Sequence, residues 1–325
     1  MEHSARIDGS PRSVVTSVRD LMRTRREEGT LRGARADPHH LALVIEGGGM
    51  RGVVAGGMVS ALEDLGLLNC FDSIYGSSAG ACAGAYFLAG QAKFGTRIYY
   101  EDINNKSFIN IWRGLIGRPI MSTAFLIDHV MRVNKPLNVD EIRRHAGVLH
   151  IAATRASTGQ PVVFSQFADT EDFFRKLKAS ISIPIIAGRG VMIGSELVFD
   201  GGMSQQVPVM SALQAATHML VLVTRREHEV ERPVREGAYK LDEIVLGLVY
   251  GWRIAKAYRD RNRRTNEVLS AVLSGQLHAN GREIAVDHVL RPETGLDVSR
   301  LSTDGELLRQ AADEAHRAVI DRLRL

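Results

Sequence analysis

Two strand, glycine-turn, helix units stand back to back in the first third of the chain. LALVIE (41–46) is an apolar run closed by one acid, GGGMRG (47–52) follows it, and VVAGGMVSALEDLG then carries apolar residues at three- and four-residue spacing. FDSIY (71–75), GSSAG (76–80) and ACAGAYFLAG repeat the same order. A continuous apolar strand must be covered on both faces, and successive strand–helix units supply the helices that cover it, so the pair predicts an α/β core around a parallel sheet. VLHIAATRA and PVVFSQF read as strands about a turn at Ser157 to Gly159, ELVFDGG as a strand ending in a glycine turn, and HMLVLVTRR as a buried strand. One α/β domain is expected over residues 41–225.

At 325 residues and 45% hydrophobic, the chain can bury a full core. Lys and Arg total 41 against 37 Asp and Glu, and only seven of the cations are lysine, so no nucleic-acid stripe is required and no nucleic-acid partner is expected. Cys70 and Cys82 are too few for a disulfide framework and lack ligand spacing, which suits a reducing compartment and gives no metal site. Residues 1–40 form a leader broken by charges throughout, resembling neither a signal peptide nor a membrane anchor, and a cytoplasmic location is expected. Within it, Ser10-Pro11, the apolar Val14, Val18, Leu21 and Met22, and the stop Gly29 predict one amphipathic helix, read as a docked or half-ordered leader in preference to a membrane-seeking helix. Residues 226–325 read as a mainly helical extension. Ile244, Leu248, Trp252 and Ala255 form one apolar stripe, EIAVDHVLRP is a further strand candidate, and Thr303 with Glu306 makes a capping box for the last helix.

Three turns carry chemistry. Gly47-Gly48-Gly49-Met50-Arg51-Gly52 fits the dinucleotide pattern G-x-G-x-x-G, but that use wants an acid ending the second strand. Asp72 precedes that strand instead, and GSSAG occupies its end. What remains is a nest of backbone N–H groups at a helix N-terminus, suited to a phosphate or an oxyanion. Gly76-Ser77-Ser78-Ala79-Gly80 has the strand-to-helix setting of a nucleophile elbow, and register selects Ser78; a helix-capping serine in a glycine loop is the structural alternative. Asp200-Gly201-Gly202 puts a carboxylate at a strand end, where it could serve as the base a serine needs, or simply be an Asp-Gly turn.

In this order, each at a strand end, GGGxRG, GxSxG and DGG resemble the patatin-like phospholipases, a family of serine acyl hydrolases. ASISIPIIAG (179–188) is similar to the family's Ala-Ser-plus-proline segment ahead of its aspartate. The resemblance covers roughly residues 41–225. It implies a three-layer fold with a mostly parallel central sheet covered by helices, a Ser78–Asp200 dyad, and an oxyanion hole from Gly48, Gly49 and adjoining amides, with Arg51 at the family's basic position. The activity implied is hydrolysis of carboxylic esters of lipids without a cofactor. The rival within serine hydrolases is an α/β-hydrolase triad using His218, His228, His278, His288 or His316, each of which reads better as a structural or surface residue. Two non-catalytic alternatives are a nucleotide- or anion-binding protein and a lipid-binding module. Phe87, Phe125, Leu126 and Phe174 are pocket candidates that suit the core equally. In residues 250–264, Tyr250, Trp252 and Tyr258 mix with Arg253, Lys256, Arg259, Arg261, Arg263 and Arg264, a content that suits peripheral membrane contact, while a helix packed on the domain with Trp252 inward is the preferred reading; either way the arginines are expected at the surface.

Overall fold

The computed structural model describes residues 16–145, 148–231 and 240–324. Among the described residues, nine strands form one mixed sheet: β1 (Leu41–Ile45), β2 (Ser73–Ser77), β3 (Leu149–Arg155), β4 (Pro161–Phe164), β5 (Val191–Ile193), β6 (Glu196–Asp200), β7 (His218–Val223), β8 (Leu277–Ala279) and β9 (Arg282–Leu290). The path is β5-β6-β3-β2-β1-β7-β9-β8, with β4 also on β3. The middle, β3-β2-β1-β7-β9, is parallel as expected, but β4, β5, β6 and β8 pair antiparallel. The expected fold is borne out: the central strands are parallel, and antiparallel strands at the margins make the whole sheet mixed. The physical reason lies in the connections: turns too short for a crossover helix join β3 to β4, β5 to β6 and β8 to β9, and such turns return the chain antiparallel. The last is an Asn280-Gly281 loop with φ of 53° and 72°.

Helices cover both faces, and the side-chain period of two decides which residue meets which layer. Leu41, Leu43 and Ile45 of β1, with Leu220 and Leu222 of β7, enter one core cluster; Ala42 and Val44, with Met219, Val221 and Val223, enter another. The first contains residues of α1 (Val18–Glu28), α2 (Gly52–Asp64), α3 (Ala79–Leu88) and α4 (Thr170–Ser180). Of the predicted leader helix, Ser10 to Val14 lie outside the described residues; the rest begins at Ser17, which caps it, and ends at Gly29. Val18, Leu21 and Met22 are core residues, and the buried Arg25 pairs with Asp37 at 2.7 Å and Asp72 at 2.8 Å. Asp72 thus clamps the leader to the sheet.

The segment after residue 226 contributes to the same core. β9 runs parallel beside β7, and α7 (Gly305–Leu323) packs its buried Leu308, Ala311, Ala312 and Ala315 into the first cluster. Its cap is Asp304 rather than the expected Thr303; the Asp304 carboxylate accepts from the N–H groups of Glu306 and Leu307, and its charge suits a helix N-terminus. The expected stripe from Ile244 to Ala255 is not continuous. Gly251, at φ 93°, breaks it into α5 (Leu241–Tyr250) and α6 (Trp252–Ser274), leaving Leu248 76% and Trp252 53% exposed while Ala255 is buried.

Candidate active site

Strand pairing alone brings the second and third turns together. β4 pairs with residues 151–154 of β3, which overlaps both the β2 pairing (149–152) and the β6 pairing (153–155), so β2 and β6 must share the opposite edge. β2 runs parallel and ends with Ser77 opposite Ala152; β6 runs antiparallel and ends with Asp200 opposite Ala153. Their C-terminal ends meet head to head.

At that junction Ser78 Oγ donates to Asp200 Oδ2 at 2.7 Å. Ser78 has φ 55° and ψ −126°, a conformation rarely tolerated outside glycine that costs of order 1–3 kcal/mol. The turn is over-determined by its neighbours: the Ser78 N–H donates to Ser180 Oγ at 3.0 Å, and Ser180 Oγ donates to the Ala152 carbonyl at 2.6 Å. Close packing explains its flanking glycines. A Cβ at Gly76 would lie 2.5 Å from Ala81 Cα, and one at Gly80 would overlap the Ile45 carbonyl oxygen. Ser77, the unselected serine, is fully buried beneath the turn, its hydroxyl without a hydrogen bond among the described residues, and Ala79 opens α3.

Asp200 is 1% exposed. Burial raises its pKa from 3.8 to about 6, against the opposing effects of the Ser78 hydroxyl, the Gly202 N–H (2.6 Å) and the positive charge of Arg300. Thr154 Oγ1 donates to the Asp200 carbonyl at 2.8 Å, and a Cβ at Gly201 would strike the Ala152 carbonyl.

The first turn lies beside the same point. Gly47, Gly48 and Gly49 line a cavity of about 210 Å³ together with Ser78 and Asp200. Its backbone is fixed: the Gly47 N–H donates to the Gln206 carbonyl, Met50 N–H to the Arg300 carbonyl and Arg51 N–H to the Gly48 carbonyl. Among the described residues, the N–H groups of Gly48 and Gly49 have no partner. Gly52 opens α2, and Arg51 turns to Glu229 at 3.9 Å and lines neither cavity.

Below the loop is a buried polar network that sequence reasoning missed. Glu46, fully buried, accepts from Thr224 N–H at 2.7 Å, Thr224 Oγ1 at 3.0 Å and Arg225 Nε at 2.8 Å; Arg225 Nη2 in turn donates to Gln206 Oε1 at 2.7 Å. The signal was an acid closing the strand LALVIE and an arginine closing HMLVLVTRR, two neighbouring strands in register.

A second, narrower cavity leads from Ser78 between α2 and α3, lined by Val59, Cys82, Tyr86, Tyr99, Phe108 and Leu126 among others. Of the four pocket candidates, only Leu126 lines it. Phe87, against Phe71, and Phe174, against Phe173, belong to the packed core, and Phe125 is only partly buried against it. Burial pushes the Cys82 thiol up to about 12 and that of Cys70 to about 11. Among the described residues no histidine lines either cavity. His218 bonds Thr16, His228 pairs with Glu293, and His316 pairs with Asp64.

The arginines of 250–264 do not all face solvent. Arg264 donates to the Met203 carbonyl, and Arg261 stacks 3.3 Å from the Tyr258 ring centroid and lines the 210 Å³ cavity. Their place on the inner face of α6, about one and two turns beyond the buried Tyr258, is the reason. No helix among the described residues is long and apolar enough to cross a membrane.

A family model described as Patatin-like phospholipase matches residues 43–213. Among curated proteins, the uncharacterized protein YjjU of Escherichia coli (strain K12) is 25% identical over 189 residues, covering 57% of this chain and 52% of that protein. The omega-hydroxyceramide transacylase of Homo sapiens is 26% identical over 191 residues, 56% of this chain and 34% of the relative. The chain thus spans about half the length of the first relative and a third of the second. Among solved structures, VipD from Legionella pneumophila aligns over 89% of this chain and 67% of its own at 12% identity and a TM-score of 0.43.

Proposed function

The chain belongs to the patatin-like phospholipase family, and we propose that it is a serine acyl hydrolase that cleaves carboxylic ester bonds of lipids with Ser78 as nucleophile and Asp200 as base. The observation that carries this reading is the 2.7 Å hydrogen bond from Ser78 Oγ to a buried carboxylate at the head-to-head strand ends. Asp200 takes the Ser78 proton as Oγ attacks the acyl carbonyl. The Gly48 and Gly49 N–H groups hold the resulting oxyanion, a role in which each donor contributes about 3 kcal/mol. Asp200 returns the proton to the leaving alcohol, then deprotonates the water that frees the fatty acid. The hydrolase unit is residues 41–225, completed by β9, α7 and Arg300, whose carbonyl accepts from the glycine-loop Met50 N–H. Labelling by a fluorophosphonate probe, lost in Ser78→Ala, tests the nucleophile; labelling that persists in the variant overturns it.

The base must be ionised to act, so the raised pKa of Asp200 sets the acid limb of activity. The value of kcat/KM for a nitrophenyl ester is expected to fall as pH drops through about 6. A limb near 4 instead would mean that the working carboxylate is solvated.

Contact with a lipid surface is assigned to the exposed apolar corner between α5 and α6, where Leu248 and Trp252 project, rather than to the arginines of α6. Leu248→Ser/Trp252→Ser should reduce sedimentation with phosphatidylcholine–phosphatidylglycerol vesicles at least fivefold. Equal sedimentation of the two proteins overturns this assignment.

A further inference from the structure

Two cations face the 210 Å³ cavity beside Ser78 and Asp200, and the proposed chemistry uses neither. They are Arg261 and Arg300, and both lie beyond the residues matched by the family model. The Arg300 carbonyl is tied to the glycine loop by the Met50 N–H at 3.1 Å, so its side chain is anchored next to the site. Arg261 is held flat on Tyr258, which lines the same cavity, and donates to the Tyr258 carbonyl.

The charge around them is unbalanced. Arg51, Arg225 and Arg261 all repel Arg300, which with burial lowers its pKa to about 10; the opposing anion, Glu46, is already engaged by Arg225 and Thr224. Asp242 and Glu243 lie near Arg261. Asp200 feels the Arg300 charge, yet no ion pair joins them among the described residues. A guanidinium carries five N–H donors in a planar fork that matches phosphate oxygens, and among the described residues that of Arg300 makes no hydrogen bond. A half-buried cation with unspent donors beside a reactive serine is arranged to receive an anion.

We propose that Arg261 and Arg300 form an anion subsite that holds the phosphate of an acyl-ester substrate while its ester carbonyl sits at Ser78 and its acyl chain enters the narrow apolar cavity. This rests on the hydrolase reading and assigns its headgroup selection, phosphate-bearing over neutral, to two residues outside the segment matched by the family model. Arg261 and Arg300 are then specificity-determining residues.

The test compares kcat/KM for a lysophospholipid and a monoacylglycerol of the same acyl chain. In Arg300→Gln the lysophospholipid-to-monoacylglycerol ratio should fall 10- to 100-fold, as expected for losing a charge-assisted bond, with a smaller fall in Arg300→Lys and a fall of at least fivefold in Arg261→Gln. A ratio unchanged in all three variants overturns the subsite, because both substrates then depend on the arginines equally or not at all. Calorimetry on the Ser78→Ala protein reads binding without catalysis. Lysophospholipid should bind it at least tenfold more tightly than the Ser78→Ala/Arg300→Gln protein, and this result stands even if no ester is turned over and the hydrolase reading fails. Binding of inorganic phosphate without binding of lysophospholipid would assign the subsite to free phosphate and overturn the lipid assignment.

Discussion

Replacing Ser78 by Ala is expected to lower turnover of a short-chain nitrophenyl ester by about 10⁴-fold or more, and Asp200→Asn to do nearly as much. Both variants remove the same proton-transfer step, so the double variant should be no slower than the worse single one; additive losses would mean that the two residues act separately. Substituting His218, His228, His278, His288 or His316 should leave most of the activity, and a large loss in any one of them would move the protein to the triad class. Stability separates a chemical role for Asp200 from a structural one. Burial raises its folded-state pKa from 3.8 to about 6, so its contribution favours the fold below pH 4 and is lost as pH rises through 6. At pH 8 the ionised carboxylate costs the fold a few kcal/mol, of order 3 from the size of that change. Asn can still accept from the Gly202 N–H and face Ser78. Asp200→Asn is therefore expected to melt a few degrees higher than wild type at pH 8 and at nearly the same temperature at pH 4, while being almost inactive at both. A variant that melts lower at pH 8 would identify Asp200 as a structural anchor.

The turns were legible because the close backbone packing around them leaves glycines at fixed offsets. Gly76 and Gly80 are required by backbone contacts with Ala81 and Ile45, and such contacts write themselves into sequence as invisible side chains. The parallel strands were legible for a similar reason, since β1 and β7 are buried on both faces and are apolar apart from His218 at the start of β7. What stayed hidden depends on partners distant along the chain. Nothing within LALVIE says that Glu46 meets an arginine 179 residues away, and nothing within YRDRNRR says that Arg261 turns inward over Tyr258 while Arg259 faces out. The break at Gly251 was misread because the apolar stripe continued in phase across it. A glycine at φ 93° resets the direction of the chain without disturbing the pattern of residues on either side. The antiparallel margins had a local signal in Asn280-Gly281, a pair that supplies the two positive-φ positions of a tight hairpin.

The largest loss of stability is expected from the pair that supports the glycine loop. Glu46 is fully buried and accepts three hydrogen bonds, while Arg225 spends its fork on Glu46, Gln206 and Asn266. Truncating one member of such a pair leaves the other as an uncompensated buried charge, which costs about 3–5 kcal/mol. Glu46→Ala should lose that much by denaturant unfolding, and Glu46→Gln less, because an amide oxygen can still accept from the Thr224 N–H. The double variant Glu46→Ala/Arg225→Met removes both charges, so it should be less destabilised than the sum of the single variants by about 2 kcal/mol or more. Strict additivity would show that the two side chains do not act as a pair. The consequence for the site follows from Gln206, which accepts from the Gly47 N–H through its carbonyl and donates to the Gly47 carbonyl through its amide at 3.4 Å, while its side-chain oxygen is held by Arg225. Releasing Arg225 loosens the residue that positions the glycine loop, whose N–H groups are the proposed oxyanion donors, but touches neither Ser78 nor Asp200. Glu46→Gln should therefore lower kcat for the nitrophenyl ester roughly 10- to 100-fold with little change in KM and an unmoved acid limb near pH 6. A variant that unfolds more easily yet keeps wild-type kcat would confine the network to holding the fold and remove it from the positioning of the loop.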